Sequence, residues 1–209
     1  MITDENWKVF EREINMISDL DLKEIVINHL KNTPNYFYKV PSSSTGKYHP
    51  LQDTGIEGLV RHSKSVVYVG LDLLRTEQFV SENNYYKDII ISRGLVHDTR
   101  HRGDEEQKYS VAEHPILSAR AFSEESDEYC DYLIDNGVIL NDVIRLRNKC
   151  TIITKCILSH SGKWNTKYNS KEEIIPKPKT NIEKLVHLAD YIASRKYINM
   201  YDLNNNKIN

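Results

Sequence analysis

The chain has 209 residues, with 28 Lys and Arg against 30 Asp and Glu, a formal net charge of −2, 39% hydrophobic and 28% charged residues. This is an ordinary soluble, globular balance with enough apolar material for one substantial core, and it excludes a globally basic nucleic-acid binder. A balanced total still leaves room for a local basic pocket of the kind a phosphate ligand needs. The three cysteines, Cys130, Cys150 and Cys156, are an odd number without CxxC spacing. They argue against disulfides and a thiolate zinc site, and for a reducing cytoplasm. The first residues lack the basic and apolar regions of a secretory signal. No run approaches a membrane span, so no membrane partner is expected.

Helical periodicity dominates and strand-like alternation is never sustained, which predicts an all-α fold. Over residues 4–31, Trp7, Phe10, Ile14, Ile17, Leu22, Ile25, Val26 and Leu30 fit one or two amphipathic helices, broken near Asp19. Residues 1–31 thus read as a helical N-terminal extension. Residues 32–55 form a long irregular segment with three prolines and the run Ser42-Ser43-Ser44-Thr45-Gly46-Lys47. Its hydroxyls and backbone N–H groups, with Lys47, offer a phosphate contact, but Tyr48 follows where a P-loop needs Ser or Thr. The run reads more readily as a solvated turn. His49 belongs to the same segment and either packs the loop or lines a site.

A helix over 56–75 carries Leu59, His62, Val66, Val69 and Leu73 at three- and four-residue steps, which places His62 on the buried face. A second helix runs from about 85 to 97, with Ile90, Gly94 and His97 on one face. His97-Asp98 ends an apolar run, where an unpaired carboxylate is costly to bury; a metal would remove that cost. Ser110-Val111-Ala112-Glu113 has capping-box spacing and predicts a helix that starts just before His114, with Pro115 tolerated in its first turn. Residues 139–160 predict one long helix capped by Asp142, with Ile153, Cys156 and His160 on one face. Cys150 and Cys156 read as small core residues. A polar loop over 161–179 follows. Thr180-Asn181-Ile182-Glu183 is a second capping-box signature, and its helix holds Asp190 within the apolar register. His187 is either a partner of the site or a surface residue, and His29 reads as ordinary. Residues 204–209 predict a frayed tail.

Several helices or helix ends therefore present a His or Asp inward, as a metal centre in a helical bundle requires. Ligation of a divalent ion by His62, His97, Asp98 and Asp190 suits Mn, Fe, Co, Ni or Zn, with Mg less favoured. His114 and His160 could hold a second ion with Asp98 shared between the two. The cationic and polar residues beside these ligands are Arg100, His101 and Arg102 after the doublet, Lys163 with Trp164 after His160, and Arg195 after Asp190.

The order H…HD…H…H…D resembles the HD-domain phosphohydrolase superfamily over residues 48–196. The stretch from Tyr48-His49-Pro50 to Gly58-Leu59-Val60-Arg61-His62-Ser63 is similar to the opening of the HD domains of bacterial 3′–5′ exoribonucleases. The resemblance implies an HD-type helical bundle with long loops around a buried metal site, in a single domain. It implies metal binding by His62, His97, Asp98 and Asp190, with His114 and His160 matching the extra positions of two-metal members such as the HD-GYP-type phosphodiesterases. The implied activity is metal-dependent cleavage of a phosphoester or phosphodiester bond in a nucleotide, cyclic nucleotide or oligonucleotide, with a phosphorylated small molecule or short nucleic acid as partner. In that reading Asp98 holds the metal and orients the attacking water, and Arg100, His101 or Lys163 neutralises the developing charge. Lys47, His49, Arg102 and Arg195 contact substrate. Two alternatives stand beside it: a one-metal nucleotidase or dNTP triphosphohydrolase, and a nucleotide-sensing module without turnover. The chain departs from many members in having Thr99-Arg100-His101 where they carry Ile/Leu-Gly-Lys, and His160-Ser161 where some carry His-His.

Overall fold

A computed structural model describes residues 5–43, 46–47, 49–76, 83–167 and 169–197. Among these there are seven α-helices and no strand, apart from one isolated antiparallel bridge between Thr166 and Glu173. The tail expected over 204–209, Ser44 and Thr45 of the hydroxyl run, and Tyr48 lie outside the described residues. Among the described residues no helix is long and apolar enough to cross a membrane.

A 3₁₀ turn over Asn6–Phe10 leads into the short α1 (Glu11–Ile14) and then α2 (Leu20–Lys31). The break falls where the sequence puts it. Asp19 takes an extended backbone and its carboxylate accepts from Leu22 N–H at 3.2 Å, the capping arrangement that begins a helix. The link before α2 is tied to α4 by Asp88, whose carboxylate accepts from the Ser18 and Asp19 N–H groups at 2.9 and 3.1 Å. Phe10, Ile14, Ile17, Leu22, Ile25, Val26 and Leu30 are buried in the same apolar cluster as the later helices. The segment expected as an extension is therefore part of the core.

The remaining helices are α3 (Gly58–Leu74), α4 (Asn83–Val96), α5 (His114–Asp135), α6 (Leu140–Leu158) and α7 (Asn181–Ala193). α3 packs against α4 and α7, and α5 lies along α6. The approach of α3 to α4 is close enough to need glycine: a Cβ on Gly94 would stand 2.6 Å from the Val67 side chain and 3.2 Å from its backbone nitrogen. This contact brings His62 on α3 beside His97 at the end of α4.

Two expected caps do not form, while a third does. The Ser110–Glu113 spacing forms no box: Glu113 itself stands at the N-cap of α5 and makes no side-chain cap bond. Val111 N–H is engaged by the His101 carbonyl at 3.0 Å and its own carbonyl accepts from His114 N–H, so the chain at 110–113 is committed to the neighbouring turn. Asp142 lies in the first turn of α6 rather than at its cap, which is Ile139; there it still complements the helix dipole. At α7 both halves of the Thr180–Glu183 box are present. Cys130, Cys150 and Cys156 are free and buried, the last two in the core role expected of them.

Candidate metal centre

Each of the six expected ligands sits on a different structural support, except the adjacent pair. His62 comes from the middle of α3. α4 ends at Val96, so His97 and Asp98 stand in the tight turns that follow, where His101 N–H returns to the Asp98 carbonyl at 2.9 Å. His114 is the first residue of α5, His160 lies two residues past the end of α6, and Asp190 is in α7. His62, His97, Asp98 and His160 are buried; His114 and Asp190 are partly so.

Three of the histidines share one local device. His97 Nδ1 is 3.0 Å from the Gly94 carbonyl, His114 Nδ1 is 2.7 Å from that of Val111, and His160 Nδ1 is 2.6 Å from that of Ile157. In each case the partner is three residues earlier. A carbonyl only accepts, so Nδ1 carries the proton and Nε2 of the neutral ring presents a lone pair. Fixing the tautomer and ring plane in this way is the usual support for a metal-binding imidazole. His62 lacks it, because the Leu59 carbonyl takes the Ser63 hydroxyl at 3.0 Å and His62 Nδ1 is buried without a partner.

The Nε2 atoms converge on the two carboxylates. Asp98 Oδ1 lies 3.2 Å from His114 Nε2 and 3.4 Å from His160 Nε2. Asp98 Oδ2 faces the other side, 3.4 Å from His97 Nε2 and 4.0 Å from His62 Nε2. Asp190 Oδ1 closes that second side at 3.0 Å from His62 Nε2 and 4.0 Å from His97 Nε2. His62–His97–Asp98, His97–His160–Asp190 and Asp98–His114–His160 each bring a ligand atom per residue within 4.8 Å of one another. His97 Nε2 and Asp98 Oδ1 are buried without a well-aligned hydrogen bond. These orphaned atoms and the mixed nitrogen–oxygen donor set fit a divalent ion.

The groups around Asp98 and Asp190 keep both carboxylates ionised. Burial alone would raise the Asp98 carboxyl, but the imidazoles of His97, His114 and His160 outweigh it and hold it well below the usual range. Asp190 is likewise held down against its burial, by His62, His97 and Arg93. His114 and His160 bring their Nε2 atoms within 3.1 Å. Burial disfavours charge on both, yet Asp98 raises His114 above its ordinary value while burial pushes His160 down to about 4. One positive charge on the pair relieves the facing lone pairs, and a cation between them would do the same.

Two residues not anticipated from the sequence complete the surroundings. Arg93 is fully buried, none of its three side-chain nitrogens has a well-aligned hydrogen bond, and Nη2 lies 3.6 Å from Asp190 Oδ2. It faces the Asp190 oxygen turned away from His62. Its position one helical turn before His97 was the available signal. Asp53 is also fully buried with both oxygens unpartnered, and burial pushes it up to about 6. It groups with His49 and His62, each giving a ligand atom within 4.8 Å of the others. Nothing in the periodicity of its loop marks it.

A cavity of about 540 Å³ opens onto the cluster. Of the expected substrate and catalytic residues, His49, His101, Lys163 and Arg195 line it with Ser42, Trp164, His187 and Tyr191. Burial pushes His49 down to about 4 and His101 to about 3, so both face the cavity uncharged at neutral pH. His187 Nδ1 donates to the His160 carbonyl at 2.6 Å, which makes it a brace for the His160 turn. Arg100, Arg102 and Lys47 do not line the cavity. Arg100 is buried with Nε 3.4 Å from Asp104, Arg102 pairs with Glu106 at 3.1 Å, and Lys47 is exposed on its loop. His29 is buried between Glu125 and Thr99, at 2.6 and 2.9 Å, and anchors α2 to α5 and to the turn after the doublet.

Compared with known proteins, the chain matches no family model, no curated protein and no solved structure.

Proposed function

We propose that the chain is a metal-dependent phosphohydrolase of the HD type, holding two divalent ions and cleaving a phosphoester or phosphodiester bond of a nucleotide, cyclic nucleotide or oligonucleotide. The observation that carries this reading is the division of Asp98: one oxygen faces His114 and His160, the other His62 and His97. A one-metal nucleotidase has no need of the first half. A pure sensor has no need of either. The order of the ligands along an all-helical chain supports the HD assignment.

Ions held there would polarise phosphoryl oxygens and acidify a water enough for attack on phosphorus. The chain's own groups do the rest. Asp98 joins the two halves, and Arg93 faces the Asp190 oxygen turned away from His62. The carbonyls of Gly94, Val111 and Ile157 keep three Nε2 lone pairs turned inward. Lys163 and Arg195 on the cavity wall neutralise phosphate charge, and His101 offers a neutral hydrogen-bonding group beside His114. The free, buried cysteines support a reducing, cytoplasmic setting.

The test is elemental analysis of the purified protein with a phosphatase and phosphodiesterase screen supplemented with Mn²⁺, Co²⁺ or Ni²⁺. Hydrolysis of bis(p-nitrophenyl) phosphate or a nucleotide ester is expected, and its loss in Asp98→Ala and His97→Ala. Activity undiminished in those variants would remove the metal-hydrolase reading.

A further inference from the structure

On the cavity wall beyond the His/Asp cluster stand two large aromatic rings that the core does not use. Trp164 is 53% exposed and Tyr191 37% exposed, and they stack with centroids 5.7 Å apart and planes 14° from parallel. Each ring carries a cation: Lys163 Nζ is 4.8 Å from the Trp164 centroid, and the Arg195 guanidinium is 4.2 Å from that of Tyr191. All four residues line the same cavity as the metal-ligand cluster. Tyr191 directly follows Asp190, and Trp164 lies four residues after His160.

The loop that carries Trp164 is tied down on both sides of the ring. Gly162 has φ +58°, and a Cβ there would come within 2.2 Å of the His187 ring, so the turn closes directly on that imidazole. His187 in turn holds the His160 carbonyl. On the far side of Trp164, Asn165 is buried, donates to the Ile175 carbonyl at 2.9 Å and receives the Ile174 N–H on its own carbonyl at 2.9 Å. Trp164 thus projects from a tie anchored on both sides, its ring left half in solvent.

We infer that Trp164 and Tyr191 form a nucleobase-stacking subsite, with Lys163 and Arg195 serving the phosphates that join the base to the metal-ligand cluster. This rests on the proposed phosphohydrolase reading and deepens it: it assigns the substrate's base to the Trp164–Tyr191 end of the cavity and its phosphates to Lys163 and Arg195. Exposed planar rings bind bases through stacking, and flanking cations add to it and follow the backbone charge. The exposed Lys163 ammonium is a displaceable cover for the indole; an arriving base takes the ring and the ammonium moves to a phosphate. A cavity of about 540 Å³ is of the size that encloses a small organic ligand. Because stacking accepts any π face, recognition is of a base in general, with larger bases favoured.

Isothermal titration calorimetry of the protein as purified, with adenosine 5′-monophosphate and ribose 5-phosphate as probes, tests this at low temperature. The nucleotide is expected to bind about 10-fold or more tighter, the scale of one stacked base. Trp164→Ala should bring it down to the level of ribose 5-phosphate with unchanged metal content, Trp164→Phe should restore most of the preference, and Tyr191→Ala should weaken it. No preference for the nucleotide, or a preference intact in Trp164→Ala, overturns the subsite. Hydrolysis without such a preference leaves the phosphohydrolase standing and removes the subsite. A Trp164-dependent preference in a protein without metal or turnover keeps the subsite and removes the hydrolase.

Discussion

Asp98→Asn isolates the joint between the two halves of the cluster. The amide keeps the size of the carboxylate but has one acceptor oxygen. Turned one way, its NH2 faces His114 and His160; turned the other, it faces His62 and His97. Either orientation removes the shared oxygen from one histidine pair, and the lost charge weakens the other. The readout is stability linked to metal. At about 100 times Kd one bound ion adds about 2.7 kcal/mol. In a chain of 209 residues each kcal/mol moves the melting temperature by about 2–4 °C, so one ion is worth about 5–11 °C. Differential scanning calorimetry against added Mn²⁺ or Co²⁺, beside elemental analysis, should show two ions per wild-type chain. Asp98→Asn should retain one ion or none and lose at least half of the thermal shift. A variant with wild-type stoichiometry and shift would refute the bridging role of Asp98.

Three other perturbations follow from the geometry. His114→Ala should remove one ion and leave the other, since His114 groups only with Asp98 and His160 while His62, His97 and Asp190 are untouched; a stoichiometry of two in this variant would count against separate halves. Arg93→Met keeps an unbranched apolar stem but leaves Asp190 Oδ2 without its guanidinium, so metal affinity is expected to fall by about 10–100-fold, read by competition with a metallochromic chelator. Glu125 is raised by burial but lowered overall by the hydrogen bond and charge of His29. A carboxyl depressed in the folded state stabilises the fold above its ordinary value, 4.5, and loses that contribution as pH falls through its folded value. Glu125→Gln should therefore cost about 1–3 kcal/mol in urea unfolding near pH 7, and the difference from wild type should shrink below pH 4.5; a difference constant with pH would refute it.

The helices and their inward faces were legible in the order of residues along the chain. Apolar steps of three and four residues placed His62 and Asp190 on buried faces, and a strong local cap at Thr180 began α7 where expected, because periodicity and capping are short-range properties. The same local logic failed at Ser110, where the Val111 N–H is taken by the distant His101 carbonyl. Packing also decided that the N-terminal segment belongs to the core, since an apolar stripe announces burial without naming the surface that covers it. That Asp98 is shared was expected from the order of the ligands; only the tertiary structure assigned Oδ1 to His114 and His160 and Oδ2 to His97 and His62. Only it set Asp53 beside His49 and His62, Arg93 beside Asp190, and Trp164 against Tyr191. Those juxtapositions join residues from separate helices and loops, and no one-dimensional pattern encodes which faces meet.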